Sequence, residues 1–257
     1  MANPSILDRK IREPLFEESG ILDLEYITAP MDYKTPYGES LKYRLYKSED
    51  IKEGERCPLI ILLHGAGERG NNNISQTTHG AKSIIAYGQA KHKPFILIVP
   101  QCPQNMQWVN TPWGALVHTM PEFPSLPLKL AMELCEQNTE VLPVDRKRIY
   151  ITGLSMGGYG AWDAIQRKPN YFAAAIPVCG GGDAHCAPML KDMPIWAFHG
   201  ANDEVVKPSR SRDMILAIKA AGGNPNYSEL PGVGHDAWNM VYSNADVFDW
   251  LFTQSRK

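Results

Sequence analysis

The sequence feature that most constrains the fold is a set of short, almost continuous apolar runs. A strand that alternates apolar and polar residues keeps one face in water, whereas a strand that is apolar throughout is buried on both faces. Strands of this second kind belong to parallel sheets that helices cover on both sides. The runs are PLIILLH (58–64), PFILIVP (94–100), RIYITG (148–153), FAAAIPVCG (172–180) and PIWAFHG (194–200). The chain is therefore predicted to fold around a parallel sheet.

Segments with helical character lie between or after these runs. In 126–141, Leu128, Met132 and Cys135 fall on one face of a helix. The other predicted helices are 156–169, which stops near Pro169, 209–223, which ends in glycines, and 244–254, which has Asn244 as its N-cap. Strands that alternate with helices predict a doubly wound α/β fold.

Two segments near the N-terminus differ from the central runs. ILDLEYIT (21–28) and LKYRLYK (41–47) alternate apolar with polar residues, and turn-forming residues join them. They are predicted to be antiparallel, half-exposed strands at one edge of the sheet. A chain of 257 residues fits a single α/β domain. We expect residues 1–50 to supply the edge strands and residues 51–257 to form the catalytic core.

Charge and hydrophobicity exclude several classes of protein. Hydrophobic residues make up 44% of the chain and the formal net charge is −2, so we expect neither disorder nor a nucleic acid or anionic membrane as partner. No apolar run approaches the roughly 20 residues of a membrane span. The first residues lack the pattern of a secretory signal. We expect a cytoplasmic protein from the sequence as written, or a secreted one if Met1 replaces a removed signal peptide; the oligomeric state is left open.

The cysteines indicate thiols rather than a disulfide framework. Their number is odd and they form no C-x-x-C pair, which also disfavours a zinc site. We expect buried, reduced thiols and no metal, with one bridge between Cys179 and Cys186 left open. The five cysteines are Cys57, Cys102, Cys135, Cys179 and Cys186.

A serine between two glycines follows the third apolar run. The segment GLSMG (153–157) lies where a strand is predicted to end and a helix to begin. A nucleophile on such a tight turn has its hydroxyl raised above the sheet. Gly153 and Gly157 are expected because a side chain there would clash as strand and helix converge. The backbone N–H of Met156 then points toward Ser155 from the first turn of the helix and is a candidate oxyanion donor.

A serine hydroxyl needs a base, and at a strand–turn–helix nucleophile the base follows it in the chain. Three histidines follow Ser155: His185, His199 and His235. His199 lies inside an apolar run, and His185 leaves only nearby carboxylates as its partner. His235 lies in the glycine-flanked loop before the last predicted helix, so it is the predicted base.

The base needs a carboxylate to orient it, and the acid is expected between the serine and the base. Asp203 is favoured because it follows the buried run 194–200, at the same sheet edge as the serine. Glu204 is the alternative. The other acidic residues in this interval are Asp163, Asp183, Asp192, Asp213 and Glu229.

A second oxyanion donor is expected from the loop after an early strand. The segment HGAG (64–67) follows the first apolar run and forms a tight turn. We predict that it exposes the backbone N–H of Ala66. His64 is expected to have a structural role, and Glu68 and Arg69 to pair with each other and hold the loop.

Two long polar segments follow predicted parallel strands. They are 67–80 and 101–127. Ligands of open α/β sheets bind at the carboxyl ends of the strands, so these segments are expected to form the rim of a site. Gln101, Trp108 and Trp113 are the predicted substrate-binding residues, with the aromatic rings also suited to stack on a sugar or a feruloyl group.

Five segments together resemble the α/β-hydrolase superfamily. More narrowly, they are similar to the polyhydroxybutyrate-depolymerase-like and phospholipase/carboxylesterase-like bacterial esterases, also grouped as predicted peptidases. The resemblance implies an α/β-hydrolase fold, the triad Ser155, Asp203 and His235, and Ala66 with Met156 as oxyanion donors. No insert long enough for a large lid domain is present. The segments are LIILLHGAGERG, IVPQCP with a downstream Trp108, RIYITGLSMGGYGAW, PIWAFHGANDEVV and GVGHDAW.

The function expected from this set is that of a serine carboxylesterase. It would hydrolyse small or medium esters through an acyl-enzyme, and it needs neither a metal nor an organic cofactor. Acetyl and feruloyl esters of carbohydrates are a candidate subclass. The alternatives are a serine peptidase, an acyltransferase and, from a different class, a non-catalytic binding module.

Overall fold

The structure is a computed structural model that describes residues 23–113, 115 and 117–257. Its centre is one sheet of eight strands in the order β1-β2-β4-β3-β5-β6-β7-β8. The strands are β1 Ala29–Lys34, β2 Ser40–Lys47, β3 Cys57–Leu63, β4 Ile96–Pro100, β5 Val144–Leu154, β6 Ala174–Val178, β7 Trp196–Gly200 and β8 Asn226–Leu230. The pairs β1–β2 and β2–β4 are antiparallel and the remaining pairs are parallel. The predicted α/β fold with antiparallel edge strands is confirmed.

The central strands are buried on both faces, as their composition predicts. In β3, Leu59, Ile61 and Leu63 pack into one apolar cluster. Ile60 and Leu62, between them in sequence, pack into a second cluster on the opposite face. Since successive side chains of a strand point to opposite faces, an unbroken apolar run is what a sheet with two covered faces requires.

Helices form a layer on each face. The helices α3 Leu126–Val141, α4 Met156–Arg167 and α5 Ser209–Ala220 contribute side chains to the cluster that contains Leu59. The helices α2 Ala81–Ala90, α6 Trp238–Tyr242 and α7 Ala245–Phe252 contribute to the cluster that contains Ile60. No helix among the described residues is both long and apolar enough to cross a bilayer.

The predicted strand 21–28 is wrong in its described part. Leu24–Ile27 is a short helix, α1, because the Asp23 side chain accepts a hydrogen bond from the Glu25 N–H and caps it. The edge strand begins only at Ala29 and contains Pro30, which an edge position tolerates because one side of the strand lacks a partner. Residues 1–22, part of the predicted 1–50 segment, lie outside the described residues.

Besides α1, two more helices have no counterpart among the predicted ones. Helix α2 lies at 81–90, between two predicted strands, and α6 precedes the predicted last helix. Neither changes the topology, because both add to a layer that the apolar strands already require. The strands β3, β5 and β7 bring the residues after them to one edge of the sheet, and that edge carries the site.

Candidate active site

Ser155 lies between β5 and α4 in a strained backbone conformation. Its φ is 53° and its ψ is −117°. A non-glycine residue in this region stores roughly 1–3 kcal/mol of strain, which surrounding structure must hold. Here the Ser155 N–H donates to the Val178 carbonyl at 2.9 Å, which ties the turn to the end of β6. The serine is thus lifted above the sheet, as the segment GLSMG predicts.

Glycine is required on both sides of this turn. A Cβ on Gly153 would lie 2.2 Å from the Gly157 carbonyl oxygen, and a Cβ on Gly157 would lie 1.9 Å from the Leu63 carbonyl oxygen. Backbone atoms cannot move aside as a flexible side chain can. The predicted clash is therefore confirmed, and it lets the start of α4 approach both β3 and β5.

His235 and Asp203 converge on the serine from distant parts of the chain. The Ser155 Oγ lies 2.8 Å from the His235 Nε2, and the His235 Nδ1 lies 2.7 Å from the Asp203 Oδ2. The Asp203 side chain is fully buried, whereas 20% of the His235 side chain is exposed. The order hydroxyl–imidazole–carboxylate, with an accessible base and a buried acid, can carry a proton away from the serine and stabilise the resulting imidazolium.

The Asp203 carboxylate is held by several donors. Its Oδ1 accepts from the backbone N–H groups of Val205 and Val206, both at 2.9 Å. Burial alone would raise the pKa of the Asp203 carboxyl, but hydrogen bonds from His199, His235 and the Val206 N–H together hold that pKa below its ordinary value. The acid is therefore ionised at neutral pH and keeps one orientation. Glu204, the alternative from the sequence, is exposed.

The loop that carries His235 rests against the end of β7. A Cβ on Gly200 would lie 2.0 Å from the Gly234 carbonyl oxygen, so only glycine lets the loop approach. The Asn202 N–H also donates to the Val233 carbonyl at 2.9 Å. The edge of the Trp238 ring contacts the His235 ring, with centroids 5.2 Å apart. These contacts hold the imidazole over the serine.

The predicted oxyanion loop lies beside the serine. A Cβ on Gly65 would be 3.7 Å from the Ser155 Cβ, so the Gly65–Ala66 peptide borders the nucleophile. Ala66 begins a short 3₁₀ turn, and Met156 begins α4. Among the described residues, the backbone N–H groups of Ala66 and Met156 have no acceptor. Two such groups at the start of helical turns are suited to hold an oxyanion.

His64 fixes the orientation of that loop. Its Nε2 accepts from the Cys102 N–H at 2.8 Å, which assigns the ring proton to Nδ1. The Nδ1 then donates to the Gly65 carbonyl at 2.6 Å. Because the Gly65 C=O and the Ala66 N–H belong to one trans peptide, a carbonyl turned toward His64 directs the N–H the opposite way. Burial lowers the pKa of His64 to about 4, so the ring is neutral near pH 7.

Two of the predicted substrate-binding residues are structural in this arrangement. The Trp108 side chain is fully buried and its indole N–H donates to the His64 carbonyl at 3.0 Å. Gln101 is 1% exposed, accepts from the Asn73 N–H and donates to the Asn72 side chain and the Glu68 carbonyl. The polar atoms of each side chain bond the loops around the site, so these contacts favour a structural role for both residues, and their predicted contact with a ligand stays a prediction.

Trp113 is the predicted pocket residue that keeps an accessible surface. It is half-buried, and the Arg69 guanidinium lies 6.0 Å from its ring centroid. Arg69 also donates to the Ala66 and Met106 carbonyls. Its predicted ion pair with Glu68 is not present among the described residues. The Glu68 carboxylate lies 4.0 Å from the His64 Nδ1 and 3.7 Å from the His79 Nε2 instead. The loop is held, but by other partners.

The sequence reasoning missed a second histidine at the acid. The His199 Nε2 lies 3.3 Å from the Asp203 Oδ2 and 2.9 Å from the Val206 carbonyl oxygen. The spacing of four residues to Asp203 was the available signal, but the surrounding apolar run indicated only a core position. Cys179, His199 and Asp203 are the group of potential metal ligands found among the described residues. The histidine and aspartate already use these atoms for hydrogen bonds within the site. The five thiols are unpaired, which rules out the bridge between Cys179 and Cys186 in this structure.

Comparison with known proteins places this site in a family. The sequence model of the phospholipase/carboxylesterase family matches residues 50–248. A solved structure of a thermostable esterase superposes with a TM-score of 0.80 and 34% identity, over 91% of this chain and 64% of that one.

Two curated proteins are similar over most of the chain. A bifunctional acetylxylan esterase/xylanase of Neocallimastix patriciarum is 24% identical over 237 residues, which is 85% of this chain and 29% of that protein. A carboxylesterase of Arabidopsis thaliana is 22% identical over 201 residues, which is 70% of this chain and 84% of that protein. The chain thus spans less than a third of the Neocallimastix enzyme and most of the Arabidopsis one.

Proposed function

The chain belongs to the phospholipase/carboxylesterase family, and from that premise we propose that it is a serine carboxylesterase for small or medium esters. The observation that carries the proposal is the continuous contact from the Ser155 Oγ through His235 to Asp203, at 2.8 and 2.7 Å. Ester hydrolysis at a serine needs these three groups in this order.

In the first half of the proposed reaction, His235 removes the hydroxyl proton of Ser155 while the Oγ attacks the ester carbonyl carbon. The Ala66 and Met156 N–H groups donate hydrogen bonds to the developing oxyanion, and loss of one such donor costs on the order of 3 kcal/mol of barrier. Asp203 stabilises the His235 imidazolium. The imidazolium then gives its proton to the leaving alkoxide oxygen, which leaves as alcohol and forms the acyl-enzyme.

In the second half, water replaces the alcohol. His235 takes a proton from the water, the hydroxide oxygen attacks the acyl carbon, and the same two N–H groups hold the oxyanion. The Ser155 Oγ leaves with the proton that His235 returns, and the free acid is released. Every proton transfer uses groups of this chain and solvent. An alcohol in place of water would give acyl transfer, which product analysis in the presence of added alcohol detects.

A finer proposal concerns the substrate class. The Neocallimastix relative is named an acetylxylan esterase/xylanase, and the exposed part of His235 leaves the base open to solvent. We infer that short acyl groups on carbohydrate are substrates, with acetyl esters preferred over long acyl chains. Trp113 is half-buried, and its ring centroid lies 6.0 Å from the guanidinium of Arg69, which donates to the Ala66 carbonyl. It is the proposed aromatic contact to the substrate.

The compartment that we propose is the cytoplasm. All five cysteines are unpaired thiols in this structure, and unpaired thiols are usual where glutathione and thioredoxin keep proteins reduced. Fractionation of the native host tests this, because a cytoplasmic protein is detected by antibody in the cell lysate and a secreted one in the medium.

The central test is Ser155→Ala. We expect it to abolish hydrolysis of p-nitrophenyl acetate and labelling by a fluorophosphonate probe, with an unchanged thermal unfolding midpoint. Ser243→Ala is the matched control, because Ser243 is a serine whose hydroxyl only donates to backbone carbonyls of α6. Turnover by Ser155→Ala near the wild-type rate would overturn the proposal.

A substrate panel separates the subclasses. We expect kcat/KM to fall along p-nitrophenyl esters of increasing acyl length, and to be higher for acetylated xylan than for methyl ferulate. Matched ester and amide substrates distinguish an esterase from a peptidase, because an amide leaving group needs firmer protonation. A higher kcat/KM on the amide would reject the esterase assignment in favour of the peptidase.

A further inference from the structure

Behind Asp203 lies a second set of hydrogen bonds that the proposed reaction does not use. The His199 Nδ1 lies 2.8 Å from the Ser211 Oγ, and that hydroxyl lies 3.0 Å from the Gly180 carbonyl oxygen. The His199 Nε2 faces the Val206 carbonyl at 2.9 Å and the Asp203 Oδ2 at 3.3 Å. His199 and Ser211 are both completely buried.

Two protonation states of this ring fit its contacts, and the Nε2 carries a hydrogen in both. The Nε2 faces two oxygens that only accept, so it must carry a hydrogen. The Ser211 hydroxyl has a single hydrogen and two neighbours, the Gly180 carbonyl and the His199 Nδ1. If the hydroxyl donates to the Nδ1, His199 is neutral; if it donates to the carbonyl, the Nδ1 must also be protonated and His199 is a cation.

We propose that His199 is a positioning residue of the active site, held by the Ser211 hydroxyl with its Nε2 hydrogen directed at the turn after β7. Its N–H joins the Val206 carbonyl to the Asp203 carboxylate and thereby fixes the turn that presents the acid to His235. This inference rests on the proposed function, because a positioning residue has a role only if Asp203 orients a catalytic base.

The turn after β7, which carries Asp203, needs the hydrogen bond from His199. Asp203 Oδ1 accepts from the N–H groups of Val205 and Val206, which closes the turn at one end. The His199 N–H on the Val206 carbonyl closes it at the other. When His235 becomes a cation during the reaction, it pulls on the Asp203 Oδ2, and a displacement of about 1 Å can cost a hundredfold in rate.

Polar groups from three neighbouring elements face His199. They are Asp203 after β7, the Cys179 thiol after β6 and Glu229, its register partner on β8. Glu229 is already paired with Arg212 through two contacts of 2.6 and 2.5 Å. The Asp203 Oδ2 faces both the His235 Nδ1 and the His199 Nε2, so His199 contacts the same carboxylate oxygen that orients the base.

Two substitutions of His199 separate positioning from packing. His199→Gln places an amide nitrogen near the Nε2 position and can still donate to the turn. His199→Asn places its amide near the Nδ1 position, so it keeps a partner for Ser211 but not for the turn. We expect His199→Asn to lower kcat by between about ten- and a hundredfold with little change in KM, and His199→Gln to retain most of the wild-type kcat.

A second variant keeps the test valid if His199→Asn does not fold. Ser211→Ala removes the hydroxyl that holds the Nδ1 side of the ring, and we expect it to lower kcat severalfold in the wild-type background. In the His199→Gln background the same Ser211→Ala change should have no further effect on kcat, because glutamine has no Nδ1 for the hydroxyl to hold. This non-additivity is the signature of a shared function.

Each outcome decides the question, with p-nitrophenyl acetate as substrate and the thermal midpoint measured for every variant. Folded His199→Asn with kcat within threefold of wild type overturns the inference, as do equal losses in His199→Gln and His199→Asn, or an additive Ser211→Ala. Failure of the proposed function is distinguishable from these results, since it would appear as full activity of Ser155→Ala.

Discussion

The ends of β3 and β7 carry the same three residues and use them differently. His64-Gly65-Ala66 follows β3, and His199-Gly200-Ala201 ends β7. Both histidines are fully buried. The first ring faces a backbone N–H and a backbone carbonyl, whereas the second faces a hydroxyl, a carbonyl and a carboxylate. One triplet thus serves the oxyanion side of the site and the other serves the acid side.

The glycines of the two triplets also differ in which loop they allow to approach the strand end. Gly65 lets the oxyanion loop border the Ser155 Cβ, while Gly200 lets the loop that carries His235 pass over the end of β7. In each case a buried histidine stiffens the strand end and the glycine brings a functional loop close to it. The role of such a triplet is therefore set by the partner that tertiary structure supplies.

The largest effect is expected on the acid side. Asp203→Asn should lower kcat by about 10⁴-fold, because an amide no longer stabilises the His235 imidazolium or selects its tautomer. No side-chain substitution at the β3 end should cause so large a loss of kcat, since the proposed oxyanion donor there is a backbone group. Steady-state kinetics on p-nitrophenyl acetate measure it.

Asp192→Asn is the matched control for that variant. Asp192 is exposed and precedes β7, so it lies at the opposite edge of the sheet, and its replacement should leave kcat unchanged. A loss below tenfold in Asp203→Asn would show that Asp203 is not the acid, and Glu204→Gln would then be the variant to measure.

The next effect is expected on the oxyanion side. His64→Leu should lower kcat on the order of a hundredfold, because the Gly65–Ala66 peptide loses the bond that directs its N–H. It should also destabilise the fold by about 2 kcal/mol, since the Cys102 N–H and the Gly65 carbonyl lose their partner. Burst kinetics and urea unfolding separate the two effects. A destabilised variant with wild-type kcat would make His64 purely structural.

The shared sheet edge of the proposed nucleophile and the proposed acid could be predicted from the sequence. Ser155 and Asp203 both follow apolar runs that had to be parallel strands, and parallel strands bring their carboxyl ends to one edge. His235 followed by elimination, from its loop and its place after the serine. These predictions depend only on strand direction and on the order of residues along the chain, so they need no knowledge of any side-chain contact.

The roles of His199, Trp108 and Gln101 could not be predicted in the same way. A histidine in an apolar run indicates only burial, and its partner Ser211 lies on α5, a separate element. Trp108 and Gln101 lie in polar loops, which suggested exposure, yet both point inward to hydrogen-bond other loops. Such contacts depend on the folded packing of segments that are distant in sequence.

A smaller effect is expected at the β3 end, in how the stability of the protein depends on pH. The pKa of His64 lies at about 4 in the folded protein, against an ordinary value of 6.5. Between these values the unfolded chain binds more protons, so the free energy of unfolding falls as the pH drops through this interval. His64 alone should therefore reduce stability by about 2 kcal/mol between pH 7 and about pH 5.

Urea unfolding at both pH values checks this prediction. Between these pH values, the free energy of unfolding of His64→Leu should fall by about 2 kcal/mol less than that of the wild type. Burial also lowers the pKa of His118 to about 4, and His118 makes the same contribution in both proteins. His185→Asn, at an exposed position, serves as control and should leave the difference unchanged. An equal loss in wild type and His64→Leu would mean that His64 is not buried as a neutral ring.

The smallest effect is expected from a substitution of Trp108, at the β3 end. Trp108→Phe keeps an aromatic ring but removes the N–H that donates to the His64 carbonyl, and we expect a loss of about 1 kcal/mol in stability. KM should stay unchanged for both acetyl and aromatic acyl esters, because the ring is fully buried. Trp113→Phe is the comparison variant, since Trp113 keeps an accessible surface, and a change in KM is expected there. A KM that changes in Trp108→Phe but not in Trp113→Phe would show that Trp108 lines the substrate pocket and does not support the oxyanion loop.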